Sequence, residues 1–196
     1  MSANPPSSTA DEIDDAELVA RTARGELGAF EQLVDRHRPV VVRVAARIVG
    51  PGEAEDVSQD AFLRAFHRLD RFRGDAPFRS WLLRITHNAA LDHLGRRRPE
   101  PVDPDTLDAT EQSPVREPAA RLEMRERIER LERKLRGLSP QHRTVLVLRD
   151  AEGLSYEEIA AITEAPVGSV KGRLHRARGE FIEMLRANTY DWELPG

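Results

Sequence analysis

Cationic side chains recur along one stretch near the C-terminus, at Lys171, Arg173, His175, Arg176 and Arg178. Lysine and arginine donate charge-assisted hydrogen bonds to phosphates, and arginine also matches the acceptor edge of guanine in the major groove of DNA. At about 100° per residue, the apolar side chains of the same stretch share one helical stripe. These side chains are Val170, Leu174, Ala177 and Phe181. The pattern predicts a helix with one buried side and one basic side.

A second, shorter helix precedes the basic one. Ser155 and Glu158 have the spacing of a capping box, in which each side chain accepts a backbone N–H of the other residue. Pro166 cannot continue a helix, so the residues before it form a turn. The stretch Leu154–Arg178 therefore predicts a helix-turn-helix. An ordinary helical hairpin with a solvated charged face is the alternative, and the combination of turn, stripe and basic face favours DNA binding.

Charge is distributed in blocks along the chain of 196 residues, although its net charge is only -4. Residues 71–98 carry seven arginines against two aspartates, whereas residues 99–120 carry six acidic residues against one arginine. A basic segment is thus followed directly by an acidic one. A weakly acidic total does not exclude nucleic-acid binding, because the basic residues are clustered.

Several classes of function are disfavoured. The chain has no cysteine, which excludes disulfides and cysteine-based zinc sites, and its six histidines lack a metal-ligand spacing. No catalytic pair, cofactor motif or metal site is recognised, so we expect a protein that is not an enzyme. Neither a membrane span nor a signal peptide is found, and we expect a cytoplasmic protein without membrane insertion.

The predicted fold is all-α, with two small helical domains joined by a flexible acidic linker. The predicted divisions are a disordered tail over 1–12, a first domain over 13–98, a linker over 99–118, a second domain over 119–188, and a tail over 189–196. The linker contains five prolines. Val40–Val49 has the composition of a strand, but we predict a helix there because its neighbours are helical.

Two surfaces of the first domain are candidate binding surfaces. The helix over 53–72 leaves Asp56, Gln59, Asp60 and Leu63 outside its apolar stripe, which is either a solvated face or a surface for a protein partner. The loop over 71–77 is basic and contains an aromatic residue, a combination that suits unpaired bases. Trp81, in the helix that follows, is assigned to the core.

Four motifs in this order resemble a bacterial extracytoplasmic-function (ECF, group IV) sigma factor of the sigma-70 family. Residues 55–65 resemble sigma region 2.2, and residues 78–92 resemble regions 2.3 and 2.4. Residues 138–148 resemble region 4.1, and residues 154–178 resemble region 4.2. The resemblance implies a region 2 helical bundle, a region 4 helix-turn-helix, and an alternative sigma factor that directs core RNA polymerase to promoters.

The resemblance also implies roles for individual residues. Recognition of the -35 element would fall on Lys171, Gly172, His175 and Arg176, with Arg149, Tyr156 and Ser169 on phosphates. Recognition and melting of the -10 element would fall on Phe72, Arg73, Gly74, Arg84, Asn88 and Asp92. Asp56, Gln59, Asp60 and Leu63 would bind core polymerase. Gly172 has no side chain, so readout at that position must come from its neighbours or from DNA shape.

The expected partners are core RNA polymerase, through the coiled coil of its largest subunit and its flap, promoter DNA, and an anti-sigma factor. The acidic linker would pass through the basic exit channel of polymerase. A stand-alone helix-turn-helix regulator that binds DNA as a dimer is the alternative. Such a regulator would retard duplex DNA by itself and would not support initiation.

Overall fold

The computed structural model describes residues 13–96 and 119–187, with side chains described in the second range from residue 127 onward. The predictions for the two tails and for the linker lie outside these residues. Within them the structure contains eight α-helices and no strand, which confirms the all-α prediction.

The N-terminal group consists of four helices: α1 (Asp15–Ala23), α2 (Leu27–Val49), α3 (Ala54–His67) and α4 (Phe78–Arg96). A 3₁₀ turn over Leu69–Arg71 follows α3 and leads into the loop before α4. The helices pack around a shared apolar core in which Leu33, Val44, Ile48, Ala61 and Leu82 are each at most 1% exposed. Every helix of the group thus contributes its predicted apolar side to this core or packs against it.

The helix predicted over Val40–Val49 is confirmed, but it is the second half of the longer helix α2. Pro39 lies inside α2 rather than ending it. A proline within a helix lacks one N–H donor and crowds the preceding turn. Buried residues on both sides of Pro39, including Leu33 and Val41, hold the helix together across this position.

The C-terminal group consists of α5 (Ala119–Gly137), α6 (Pro140–Leu146), α7 (Tyr156–Thr163) and α8 (Val167–Arg186). The last turn of α6 widens into a π-helical turn over Val147–Ala151, which the sequence did not indicate. Helices α6 and α8 pack most closely, and Val145 and Leu174 are at most 2% exposed in this second part of the core.

The two groups pack directly against each other. Helix α4 contacts α7, and α2 contacts α5 and α6. As a result α4 is buried on two sides, with Leu82 facing its own group and His87 only 5% exposed. His87 is buried because the second group covers that side of α4.

Arg143, in α6, stabilises the contact between the two groups. Its guanidinium donates hydrogen bonds to the backbone oxygen of Ile48, near the C-terminal end of α2, and to those of Arg136 and Leu138 at the end of α5. Carbonyl oxygens in the last turn of a helix have no partner within the helix, so these donors satisfy them. Burial, followed by the charge of Arg136, lowers the pKa of Arg143 to about 10.

Candidate nucleic-acid interface

The basic side of α8 is exposed as predicted. Val170, Leu174 and Ala177 are at most 2% exposed and anchor α8 to α6 and α7. On the opposite side Lys171 and Arg176 are exposed. Ser169 and His175 are exposed as well. The helical periodicity thus separates a packing face from a cationic face, and the cationic face can reach a polyanion.

Helix α7 and the turn after it hold α8 in place. Ser155 accepts the backbone N–H of Glu158 at 3.1 Å, and the Glu158 carboxylate accepts the backbone N–H of Ser155 at 2.8 Å, which confirms the capping box. Glu164 ends α7 in the left-handed conformation, with φ of 51°. Pro166 then precedes the first residue of α8. The two helices are therefore joined by a tight turn, as a helix-turn-helix requires.

Tyr156 lies between two of the predicted phosphate and base contacts. The Arg149 guanidinium lies 4.8 Å from the centre of the Tyr156 ring, and the Lys171 ammonium lies 5.3 Å from it. Arg149 also donates to the backbone oxygen of Leu154 at 2.6 Å. The Tyr156 ring attracts both cations through cation–π interactions. One N–H group of Arg149 already has a hydrogen-bond acceptor within the protein, the backbone oxygen of Leu154.

Gly172 gives the Arg176 side chain room to fold back over α8. A Cβ at position 172 would lie 3.8 and 3.9 Å from the two terminal nitrogens of Arg176, which is ordinary van der Waals contact. A small side chain would therefore fit there without displacing Arg176. Gly172 is half-buried, and the exposed donors around it belong to Lys171 and Arg176.

The second predicted surface lies at the start of α4. Phe72 packs edge-on against Phe78, with ring centres 5.6 Å apart, and contacts Trp81 at 5.2 Å. Arg73 and Gly74 are exposed in the loop, where Gly74 has φ of 76°. Positive φ is readily adopted only by glycine, so Gly74 sets the course of this loop.

The predicted base-binding residues of α4 differ in their surroundings. Arg84 and Asn88 are half-buried, whereas Asp92 is exposed and accepts a hydrogen bond from Arg64 at 2.6 Å. Arg64 also pairs with Asp60 at 2.8 Å. One arginine thus links a residue predicted to bind DNA with a residue predicted to bind polymerase.

The predicted protein-binding face of α3 is open to solvent. Asp56 and Gln59 are exposed, and Leu63 is 61% exposed, which is unusual for a leucine. The sequence did not single out Leu27 and Phe66, which are 62% and 38% exposed. Phe66 contacts Phe30 of α2 with ring centres 4.9 Å apart, so exposed apolar surface continues from α3 toward the start of α2.

The contact between the two groups contains titratable residues that sequence reasoning missed. Burial, followed by the charge of Arg173, lowers the pKa of His87 to about 4. The His87 Nδ1 atom lies 3.5 Å from the hydroxyl of Thr144 in α6. Glu152 is only 2% exposed in its side chain and lies among Arg43, Arg47 and Arg79 of the other group. No local sequence pattern predicts these pairs, because the two residues of each pair belong to different helical groups and are far apart in the sequence.

The family models match the two helical groups separately. The model described as Sigma-70 region 2 matches residues 33–100, and the model described as Sigma-70, region 4 matches residues 128–180. Together the two matches cover more than half of the chain. It belongs to the sigma-70 family of sigma factors. The two predicted sigma regions are thereby confirmed.

Relatives that match this sigma factor over most of their length show that it belongs to the ECF class. It is 37% identical over 176 residues to the ECF RNA polymerase sigma-E factor of Escherichia coli K12, covering 86% of this chain and 92% of that protein. It is 38% identical over 181 residues to the RNA polymerase sigma-H factor of Pseudomonas aeruginosa PAO1, with 88% and 94% covered. Among solved structures, CnrH in complex with the cytosolic domain of CnrY matches with a TM-score of 0.66 and 34% identity, covering 89% of this chain and 98% of that chain.

The described residues contain neither a candidate metal site nor a candidate membrane-spanning helix. Within them no group of three or more histidine, aspartate or glutamate side chains is placed to hold a metal ion. None of the helices in the described ranges combines the length and the apolar character needed to cross a membrane.

Proposed function

We propose that the chain is an alternative sigma factor that binds core RNA polymerase and directs initiation at promoters through their -10 and -35 elements. The observation that supports this most strongly is the presence of sigma-70 regions 2 and 4, in that order, on one chain. The sigma factor would act without catalysis of its own, in the cytoplasm, where core polymerase works. An anti-sigma factor is its expected regulator, as a solved relative from Bartonella quintana is bound to the anti-sigma factor NepR.

The basic face of α8 is proposed to read the -35 element in the major groove. Lys171, His175 and Arg176 are exposed there and carry donors for base edges. Arg149, Tyr156 and Ser169 are proposed to fix the register on phosphates, since they lie at the edge of that face. Gly172 would allow the close approach of the DNA.

The start of α4 is proposed to hold the opened -10 element. Arg73 and Gly74 are exposed in the loop, and Phe72 and Trp81 are half-buried beside them, so an unpaired base could lie against the accessible part of these rings. Arg84, Asn88 and Asp92 are proposed to contact the same element from α4. The salt bridge with Arg64 uses one carboxylate oxygen of Asp92, so the other oxygen can accept a hydrogen bond from a base.

The outer face of α3 is proposed to bind the coiled coil of the polymerase largest subunit, and the C-terminal group to bind the flap. Leu63 would be the apolar centre of the α3 contact, surrounded by Asp56, Gln59 and Asp60. An exposed leucine within a polar rim is the usual composition of a protein interface.

Transcription from a promoter library with purified core polymerase tests the proposal. The chain should start transcripts whose upstream sequences share two elements. Leu63→Asp should weaken core polymerase binding at least about tenfold, whereas Ala23→Asp, which places the same charge at an exposed residue of α1, should not. If the purified chain retards duplex DNA as a dimer and supports no initiation, a stand-alone regulator is the better description.

A further inference from the structure

Three arginines of the N-terminal group converge on one carboxylate of the C-terminal group. Arg43 binds Glu152 through two hydrogen bonds of 2.8 Å, one to each carboxylate oxygen. Arg47 donates to one of these oxygens at 3.2 Å, and Arg79 donates to the other at 3.1 Å. The Glu152 side chain is 2% exposed, whereas the three arginine side chains are between 24% and 45% exposed.

The arginines belong to one rigid surface. Arg43 and Arg47 are one turn apart on α2, and Arg79 lies in the first turn of α4, where free backbone N–H groups add partial positive charge. Among the described residues, Glu152 is the one acidic side chain within salt-bridge distance of these three arginines. Without it, Arg43 and Arg47 would lose the carboxylate that they share, and Arg79 would keep only the charge of Glu158, which also belongs to the C-terminal group.

The closed arrangement of the two groups cannot bind both promoter elements. Elements centred near -35 and -10 are about 25 base pairs apart, or about 85 Å at about 3.4 Å per base pair. In the structure the helix that carries the -10 residues packs directly against α7, and His87 of α4 contacts Thr144 of α6. The C-terminal group must therefore move away, and Glu152 must leave the arginines with it.

We propose that Arg43, Arg47 and Arg79 form a phosphate site for the promoter backbone, and that Glu152 fills this site in the closed form. Arginine forks bind the two free oxygens of a phosphodiester in the same way as the two oxygens of a carboxylate. DNA is the fitting ligand because Arg79 follows Phe78, whose ring packs against Phe72 and Trp81 on the proposed -10 surface. The inference rests on the proposed function, since it places DNA on this group.

The experiment measures opening and DNA binding on the full chain. Because the sequence contains no cysteine, dyes can be attached at Ala23→Cys and Ala161→Cys, two exposed positions on different groups. Energy transfer between the dyes reports the distance between the groups. Fluorescence anisotropy with a labelled 30-base-pair duplex reports binding at several salt concentrations. Circular dichroism verifies that each variant keeps its helices.

Glu152→Gln removes the charge that holds the arginines. We expect it to lower energy transfer and to raise affinity for the duplex at least about threefold. Glu157→Gln is the matched control, since Glu157 is exposed on α7, and it should change neither quantity. Unchanged energy transfer in Glu152→Gln, or a more open chain with unchanged affinity, would overturn the inference.

The triple variant Glu152→Gln, Arg43→Gln, Arg47→Gln separates opening from phosphate binding. It should be as open as Glu152→Gln but bind the duplex at least about threefold more weakly than that variant. The slope of log affinity against log salt should become shallower by about 0.9, the contribution of one phosphate contact. Equal affinities and slopes in the two variants would show that the arginines bind no phosphate.

Arg43→Gln with Arg47→Gln alone provides a second route, since it opens the chain while Glu152 stays intact. It should lower energy transfer without the gain in affinity seen for Glu152→Gln. Transcription with core polymerase keeps the two proposals apart. If the chain initiates normally and the arginine variants bind DNA like their parents, the phosphate site is wrong and the sigma factor function stands.

Discussion

Lowering the pH from 8 to 5 should weaken the contact between the two helical groups, because His87 gains a proton at pH 5 once it is released from that contact but stays mostly neutral inside it. His87 is 5% exposed, and its neighbours across the contact are the Thr144 hydroxyl and the positive charge of Arg173. Burial removes the water that would stabilise an imidazolium, and the charge of Arg173 repels one. The neutral ring is therefore the form that the closed structure accepts.

The size of the effect follows from the pKa of His87, which burial lowers from 6.5 to about 4. Because the folded pKa is the lower one, the unfolded or opened chain binds more protons, and stability falls as the pH drops below about 6.5. With these two values the loss between pH 8 and pH 5 is about 2 kcal/mol. Most carboxylates stay ionised down to pH 5, so their loss of charge adds little in this window.

Urea unfolding at pH 8, 6.5 and 5 measures the loss, and energy transfer between dyes at Ala23→Cys and Ala161→Cys shows whether the groups separate first. His87→Gln is the reference, since it keeps a polar side chain but does not titrate. Its stability should depend on pH less than that of the parent chain, by about 2 kcal/mol over the interval. If both chains lose the same free energy, the burial of His87 in this contact does not control the pH response.

Three further changes probe α7 and α8. Ser155→Ala removes one half of the capping box and should cost about 1 kcal/mol in thermal unfolding, and an unchanged melting temperature would contradict the cap's role. Leu174→Ala empties a site that is 2% exposed and should cost about 2–5 kcal/mol in urea unfolding, whereas a cost below 1 kcal/mol would mean that the α6–α8 core closes around the gap. Gly172→Ala should stabilise α8 by up to about 1 kcal/mol, because the added Cβ meets Arg176 at ordinary contact distance, and a loss of stability would show that the helix needs glycine there.

Local patterns were sufficient for the helices and for the faces of α8. Apolar spacing identified Val170, Leu174 and Ala177 as the buried side, since residues three and four apart share a helix face. The capping box could also be predicted from the sequence, because Ser155 and Glu158 are only three residues apart. The same spacing predicts the cationic side of α8, because that side lies opposite the buried residues.

Periodicity failed where a helix is buried on more than one side. Apolar spacing on α4 revealed the side facing its own group, but His87, on the side covered by the C-terminal group, is polar. The same limit applies to Pro39. A local rule predicts a break there, whereas the packing of α2 on both sides of the proline maintains the helix.

The sequence by itself determined the helices, the family, and the polar and apolar faces from which the binding surfaces are proposed. Each depends on residues close together in the chain. The tertiary structure decided which charges meet, because Arg43 and Glu152 are 109 residues apart and belong to different groups. It also decided that His87 is buried and that the two groups on which DNA binding is proposed pack against each other. Such contacts depend on how the surfaces of the two folded groups fit together, and the spacing of residues along one helix does not predict that fit.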